Sequence, residues 1–371
     1  MTVSTRSYRP HRPRLRPGRR IVALAVVPLL VALAACANTS TQTTAADLSK
    51  GTAAKTLRLG FFANVTHAPA LVAVANGYLA KDLGSTTVRT QVFNAGPAAI
   101  EALNAGAIDA AYLGPNPAIN GFVKSHGADL RIVSGAVSGG AQLVVKPSIA
   151  SAKDLKDKNL ATPQLGGTQD VALRSWLASQ QLTSSVSGGG DVTITPTDNA
   201  QTLQLFKAGK LDGAWLPEPW SSRLVLDAGA KVLVDEKSLW PGGKFLTTNL
   251  VVSTSFLQQH PQTVEALLRA NLEAVDWIAA NPADAQGVVN AQIDKLSGKP
   301  LSAAVISRAF GNIQASVDPL ASSLKTLQDH GVTAGTTKKA TLYGIYDLRL
   351  LNKVLAALGR PPVSSAGLGE E

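Results

Sequence analysis

From Leu57 to Leu216, short apolar runs alternate with segments whose apolar positions recur every three or four residues. That alternation predicts strands interleaved with helices, an α/β chain. Strand-like runs stand at Leu57–Phe62, Val88–Phe93, Ile108–Leu113, Asn159–Thr162 and Val192–Thr195. Helical stripes follow them: Leu71, Val74, Tyr78 and Leu79; Ile100 and Leu103; Leu173, Trp176 and Leu177; Leu203 and Phe206. Beyond Pro261 the pattern is helical. Val264, Leu267, Leu268, Val275 and Ile278 stripe one helix, and another is predicted over Tyr343–Leu358. Such stripes are core-facing surfaces.

One stretch occurs twice. Leu103-Asn-Ala-Gly-Ala-Ile-Asp-Ala-Ala-Tyr-Leu113 matches Phe206-Lys-Ala-Gly-Lys-Leu-Asp-Gly-Ala-Trp-Leu216, aligning Asp109 with Asp212 and Tyr112 with Trp215. Pro115-Asn-Pro117 follows one copy and Pro217-Glu-Pro219 the other. Each copy reads as a helix end, a glycine stop and a strand. The separation is too long for a solenoid repeat and predicts two similar α/β lobes. The strand-to-helix junctions carry Pro, Asn, Thr and Gly, with Asn or Thr expected as N-caps. In parallel sheets these junctions lie at the carboxyl edge, where open α/β sheets bind ligands. Helix starts present free N–H groups suited to an anion.

The N-terminus differs. Seven arginines (Arg6, Arg9, Arg12, Arg14, Arg16, Arg19, Arg20) with no acidic residue precede apolar Ile21–Ala35. That run suits a signal-peptide core better than a membrane span. It ends in Leu33-Ala-Ala-Cys36, which holds the sole cysteine and resembles the bacterial lipobox. The resemblance implies cleavage before Cys36 and a lipid thioether that anchors the chain to the outer face of the cell membrane. Residues 36–55 read as a flexible tether and 361–371 as a flexible tail. Removing the arginines lowers the formal charge from +10 to +3, so the basic pI of 9.7 reflects targeting rather than nucleic-acid binding. One cysteine excludes disulfides and thiolate metal sites, and five scattered histidines leave no metal site and no cofactor expected.

In order and spacing, five segments resemble the nitrate/sulfonate/taurine group of ABC-importer substrate-binding proteins. They are Leu57-Arg-Leu-Gly-Phe61, Glu101 to Asp109, Lys153 to Lys158 with Leu160-Ala-Thr-Pro163, Gly167-Thr168, and Trp215-Leu-Pro-Glu-Pro-Trp220. The resemblance implies a type II periplasmic-binding fold, two α/β lobes joined by two hinge strands. By that pattern 1–35 is a lipoprotein signal peptide, 56–141 the first part of lobe one, 142–247 lobe two, and 248–360 the helical remainder of lobe one. It further implies a monomer, not an enzyme, that serves an ABC permease and its ATPase subunit. The ligand contacts carried over are Asn64, Thr66, His67, Gly96, Pro97, Gly114, Asn116, Ser138, Gly139, Gly167, Thr168, Asn199, Trp215 and Glu218.

The expected ligand is a small anionic or zwitterionic organosulfonate, aliphatic or taurine-like, held by neutral donors. Trp215 and Trp220 would stack on its tail. Glu218 either turns away to a hinge or cap, or meets an amine. Nitrate and a thiamin-pyrimidine precursor are the alternatives for a binding protein. A pyrimidine-synthase-like enzyme shares the fold, yet no Ser–His–Asp set, carboxylate pair or Cys nucleophile assembles here. A regulator's effector domain shares it too, but needs a helix-turn-helix where the leader stands.

Overall fold

A computed structural model describes residues 48–371; the leader and Cys36 lie outside the described residues. Strands β1 (Thr56–Phe61), β2 (Thr87–Val92) and β3 (Ala110–Leu113) run parallel. They are linked by α1 (Ala68–Ala75), α2 (Tyr78–Leu83) and α3 (Gly96–Asn104). Helix α4 (Pro115–Lys124) leads to β4 (Leu130–Gly139), which passes through Gly140 into β5 (Ala141–Val145) of a second sheet. There follow β6 (Lys158–Thr162), α5 (Thr168–Ser179), β7 (Val192–Pro196), α6 (Asn199–Lys207), β8 (Gly213–Pro217), α7 (Trp220–Ala228) and β9 (Lys231–Asp235). The chain returns to the first sheet as β10 (Leu246–Ser253). It then forms α8 (Thr254–Gln259), α9 (Pro261–Ala280), α10 (Pro282–Ser297), α11 (Ala303–Gly311) and β11 (Ile313–Ala315). The last elements are α12 (Leu324–Thr333), β12 (Tyr346–Asp347), α13 (Arg349–Ala357) and β13 (Gly369–Glu370).

The first sheet has the order β13-β12-β4-β10-β3-β1-β2, with β11 also on β4; the second has β7-β6-β8-β5-β9. Read from one edge, β2-β1-β3-β10-β4 and β7-β6-β8-β5-β9 are the same arrangement. In each, the fourth strand is antiparallel to the third and arrives directly from the other sheet. This is the expected α/β, two-lobed topology of type II periplasmic-binding proteins. The repeated aspartates do the same work in both lobes. Asp109 Oδ2 accepts the Arg58 N–H at 2.8 Å from β1, and Asp212 Oδ2 accepts the Asn159 N–H at 2.9 Å from β6. Each closes the helix-to-strand turn onto its neighbouring parallel strand.

Three expectations are corrected. The helix expected over Tyr343–Leu358 starts only at Arg349. Gly344 is left-handed (φ 88°), and Tyr346–Asp347 instead pair with β4 at the sheet edge, burying Tyr346. The tail 361–371 does not fray: β13 pairs with β12, and Glu371 accepts from the Ser365 N–H at 2.6 Å. Part of the expected tether is also fixed, since Ala54 is buried and its N–H donates to Thr263 Oγ1 at 2.7 Å.

The β6–α5 turn rests on a buried ion pair. Asp170 accepts from Thr162 Oγ1 at 2.9 Å, the Gly166 N–H at 3.0 Å and Arg174 Nε at 3.0 Å. Both side chains of the pair are out of solvent. Asp170→Ala strands the Arg174 charge, and urea denaturation should show a loss of about 3–5 kcal/mol. A loss under 1 kcal/mol would refute this account of the turn.

A second buried carboxylate stands in the return crossing. Glu236 accepts from Trp215 Nε1 at 2.8 Å. Burial raises its pKa from 4.5 to about 7, against the pull of the Trp215 and Trp240 indoles. The folded chain therefore keeps a proton that the unfolded chain loses, and its stability falls as pH rises from about 4.5 to about 7. Relative to Glu236→Gln, the wild type should lose about 1.4 kcal/mol per pH unit across that window. Parallel pH dependences in denaturation would contradict the assignment.

Candidate functional site

The carboxyl ends of both sets of parallel strands face one another and bound a cavity of about 30 Å³. From the first lobe come Phe62, Asn64, Thr66 and His67 after β1, Asn94, Ala95 and Gly96 after β2, Gly114 and Pro117 after β3, and Thr247 of β10. From the second come Pro163, Gly167, Thr168 and Gln169 after β6, Asn199 after β7, and Pro217 of β8. The lobes touch here: a Cβ at Gly114 would overlap Thr168 Oγ1. Other cross-lobe bonds are Trp220 Nε1 to Asn64 Oδ1 at 2.9 Å, the Ala98 N–H to Gln164 Oε1 at 3.4 Å, and Asn94 Nδ2 to Asp198 Oδ2 at 3.5 Å.

Helices α3, α4, α5 and α6 all begin at this cavity, with N-cap residues Ala95, Gly114, Gly167 and Asp198, and none has a side-chain cap. The Asn and Thr caps expected from the sequence are thus not formed. Ala95, Gly114 and Gly167 have no side-chain oxygen to offer and Asp198 makes no cap bond, so the first-turn N–H groups present stay uncapped; Pro97 of α3 and Pro115 and Pro117 of α4 carry none, and the Ala98 N–H is taken by Gln164. Three buried polar atoms of the lining also lack partners: His67 Nε2, Thr168 Oγ1 and Asn199 Oδ1. Leaving such atoms unmet costs roughly 1–3 kcal/mol each.

No Asp, Glu, Lys or Arg lines the cavity. Its one titratable group is His67, stacked on Phe62 with ring centroids 4.2 Å apart. Burial drives the His67 pKa from 6.5 to about 3, so the imidazole is neutral at ordinary pH. What the lining offers an anion is therefore helix-start dipoles and neutral side-chain donors rather than a formal charge. Among the described residues, no three His, Cys, Asp or Glu side chains cluster to hold a metal ion, and no helix is long and apolar enough to cross a membrane.

Asn64, Thr66, His67, Gly96, Gly114, Gly167, Thr168 and Asn199 reach the cavity from the expected set. Six do not. Pro97 faces a neighbouring groove of about 600 Å³ shared with Gln164 and Leu165. Asn116 turns its amide to the Leu327 carbonyl at 3.0 Å. Ser138 and Gly139 belong to the hinge, where Ser138 Oγ and the Gly139 N–H both donate to the Phe245 carbonyl. Trp215 is wholly buried behind β8 with its indole on Glu236, so it offers no wall to a ligand. Glu218 is likewise buried, accepting from Asn312 Nδ2 at 2.6 Å, Arg308 Nη1 at 3.2 Å and the Ser222 N–H at 3.1 Å. It caps α7 and braces the hinge, the first of the two roles left open for it.

Sequence reasoning missed Phe62, Asn94, Ala95, Pro117, Pro163, Gln169, Pro217 and Thr247. Most adjoin a junction already singled out, and Phe62, Ala95, Pro117, Pro163 and Pro217 have no polar side-chain group to mark them as contacts. Thr247 was marked only as the end of lobe two, whereas β10 places it in the first sheet at the cleft.

The chain matches the NMT1-like family over residues 50–293, well over half its length. It is 27% identical over 217 residues to the taurine-binding periplasmic protein of Escherichia coli K12, covering 58% of this chain and 64% of that protein. It is 28% identical over 279 residues to the nitrate/nitrite binding protein NrtA of Nostoc sp. PCC 7120, covering 69% and 61%. The chain thus spans a little under two thirds of the length of these curated relatives. The alkanesulfonate-binding protein SsuA from Xanthomonas axonopodis pv. citri, bound to MOPS, superposes with a TM-score of 0.65 at 25% identity, over 78% of this chain and 96% of that one. The chain belongs to the NMT1-like family, within the nitrate/sulfonate/taurine group of solute-binding proteins.

Proposed function

We propose that this chain is the extracytoplasmic solute-binding component of an ABC importer, lipid-anchored through Cys36, which captures a small aliphatic sulfonate and delivers it to the permease and its ATPase subunit. The observation that carries the reading is the meeting of four uncapped helix starts, two from each lobe, around a cavity without charged side chains. Such a site asks for an anion with several acceptor oxygens. Phe62, Ala95, Pro117, Pro163 and Pro217 add an apolar wall suited to a short alkyl tail. The relatives named for taurine and alkanesulfonates support the same class.

The aromatic wall expected from Trp215 is withdrawn, and so is an amine partner in Glu218, whose oxygens are taken by Arg308, Asn312 and Ser222. A simple alkanesulfonate therefore fits better than a zwitterion. Nitrate is the second reading, favoured by the cavity of about 30 Å³, close to one water's share of volume. A sulfonate enters only when the lobes part. Micromolar binding needs about 8 kcal/mol, and hydrogen bonds to a charged group give roughly 1.5–3 kcal/mol each, so several neutral donors suffice.

Calorimetry should detect methanesulfonate or ethanesulfonate; nitrate binding with neither sulfonate binding would reject the sulfonate reading. Thr168→Ala and Asn199→Ala should each weaken binding by about 1–3 kcal/mol. Because His67 takes a proton only near pH 3, affinity should stay level between pH 5 and 8. Tightening as pH falls through 6.5 would instead point to an imidazolium contact.

A further inference from the structure

Trp220 opens α7 in the second lobe, yet its indole donates to Oδ1 of Asn64 in the first lobe at 2.9 Å. An indole nitrogen can only donate, so the Asn64 atom that meets it must be the carbonyl oxygen. The amide nitrogen, with two N–H donors, is left for the cavity that Asn64 lines, and it makes no bond to another described residue. Without the indole, nothing in the Asn64 side chain would choose between its two nearly isosteric ends, and the oxygen end repels an anion.

Trp220 is itself held in place. The Arg223 guanidinium lies 4.7 Å over its ring. Glu218 accepts the Ser222 N–H at 3.1 Å and so fixes the first turn of α7. Glu218 is in turn gripped by Arg308 and Asn312, at the end of α11. Arg308 also reaches Ser222 Oγ at 2.7 Å and Gln142 Oε1 at 2.8 Å. The Pro217–Trp220 turn is thereby presented rigidly to Asn64.

We propose that Trp220 is a positioning residue, which sets Asn64 as a hydrogen-bond donor to the bound anion. The role rests on the anion-site reading above. Because the bond joins the two lobes, it ties the donor state of Asn64 to lobe closure, and ligand and closure favour each other.

Two measurements test this on the full chain. The five tryptophans give five indole N–H resonances in a 15N-labelled sample, and the one lost in Trp220→Phe identifies Trp220. Asn64→Ala should shift that resonance in the absence of any ligand. Calorimetry with methanesulfonate, ethanesulfonate and nitrate should show Trp220→Phe weakening binding roughly tenfold, as loss of one oriented bond to a charge implies. In an Asn64→Ala background the same change should have almost no further effect. An unmoved indole resonance, or an equal loss in the Asn64→Ala background, overturns the positioning role and leaves the anion site standing. A wild-type chain that binds none of the three anions overturns the anion site, and this role with it.

Discussion

The cleft depends on hydrogen-bond demand that neither lobe can meet alone. Four helices begin at one place with no side-chain cap, and apart from Pro97 in α3 and Pro115 and Pro117 in α4 their first turns bring N–H donors. In an isolated lobe, water would answer these donors. Once the lobes meet around a cavity of about 30 Å³, there is room for only about one or two waters. A protein acceptor answers at one point only weakly: Gln164 Oε1 reaches the Ala98 N–H at 3.4 Å from the opposite lobe. The remaining deficit favours a guest that brings acceptor oxygens and negative charge together. Closing the cleft on such a guest replaces water at both lobes in one step, which is why capture and closure are a single event on this reading.

The duplicated architecture explains how two lobes present matching chemistry. Each sheet places its three parallel strands so that their carboxyl ends point inward, and each receives an antiparallel fourth strand from the other. Asp109 and Asp212 secure equivalent turns by accepting equivalent backbone donors. The aligned Tyr112 and Trp215 have diverged in partner, Asn271 for one and Glu236 for the other, but both stay in the core. The symmetry is kept in the backbone and in the turn aspartates, and relaxed where side chains only fill space.

Much of this was legible in the sequence, because strands flanked by turn residues and helices with an apolar stripe leave periodic marks. The junctions after β1, β2, β3, β6 and β7 were found that way, and they supply most of the cavity. Strand β4 left no such mark. All ten of its residues are buried, so it has no polar alternation to read. Trp215 was misplaced for a related reason: a strand has two faces, and the motif does not say which one the aromatic ring takes. Here Ala214 and Leu216 pack with α6 and α7, and Trp215 turns the other way to Trp176 and Glu236. The tail misled through composition, since Ser, Gly and Pro suggested fraying where a sheet edge was waiting for a partner.

The buried carboxylates beside the site, Asp170 and Glu218, are each paired with an arginine, and that shapes how the cleft discriminates. Glu218 is enclosed by three donors, and His67 is neutral. Selection then falls to dipoles and to the direction in which neutral side chains point. A lysine would attract any anion at a distance and hold it through solvent. A ring of amides acts only at contact, so shape and the number of acceptor atoms weigh more than net charge. In such a site the orientation of one neutral amide matters as much as a formal charge would elsewhere. A carboxamide turned end for end changes from donor to acceptor without changing its shape, and an anion meets attraction in one state and repulsion in the other.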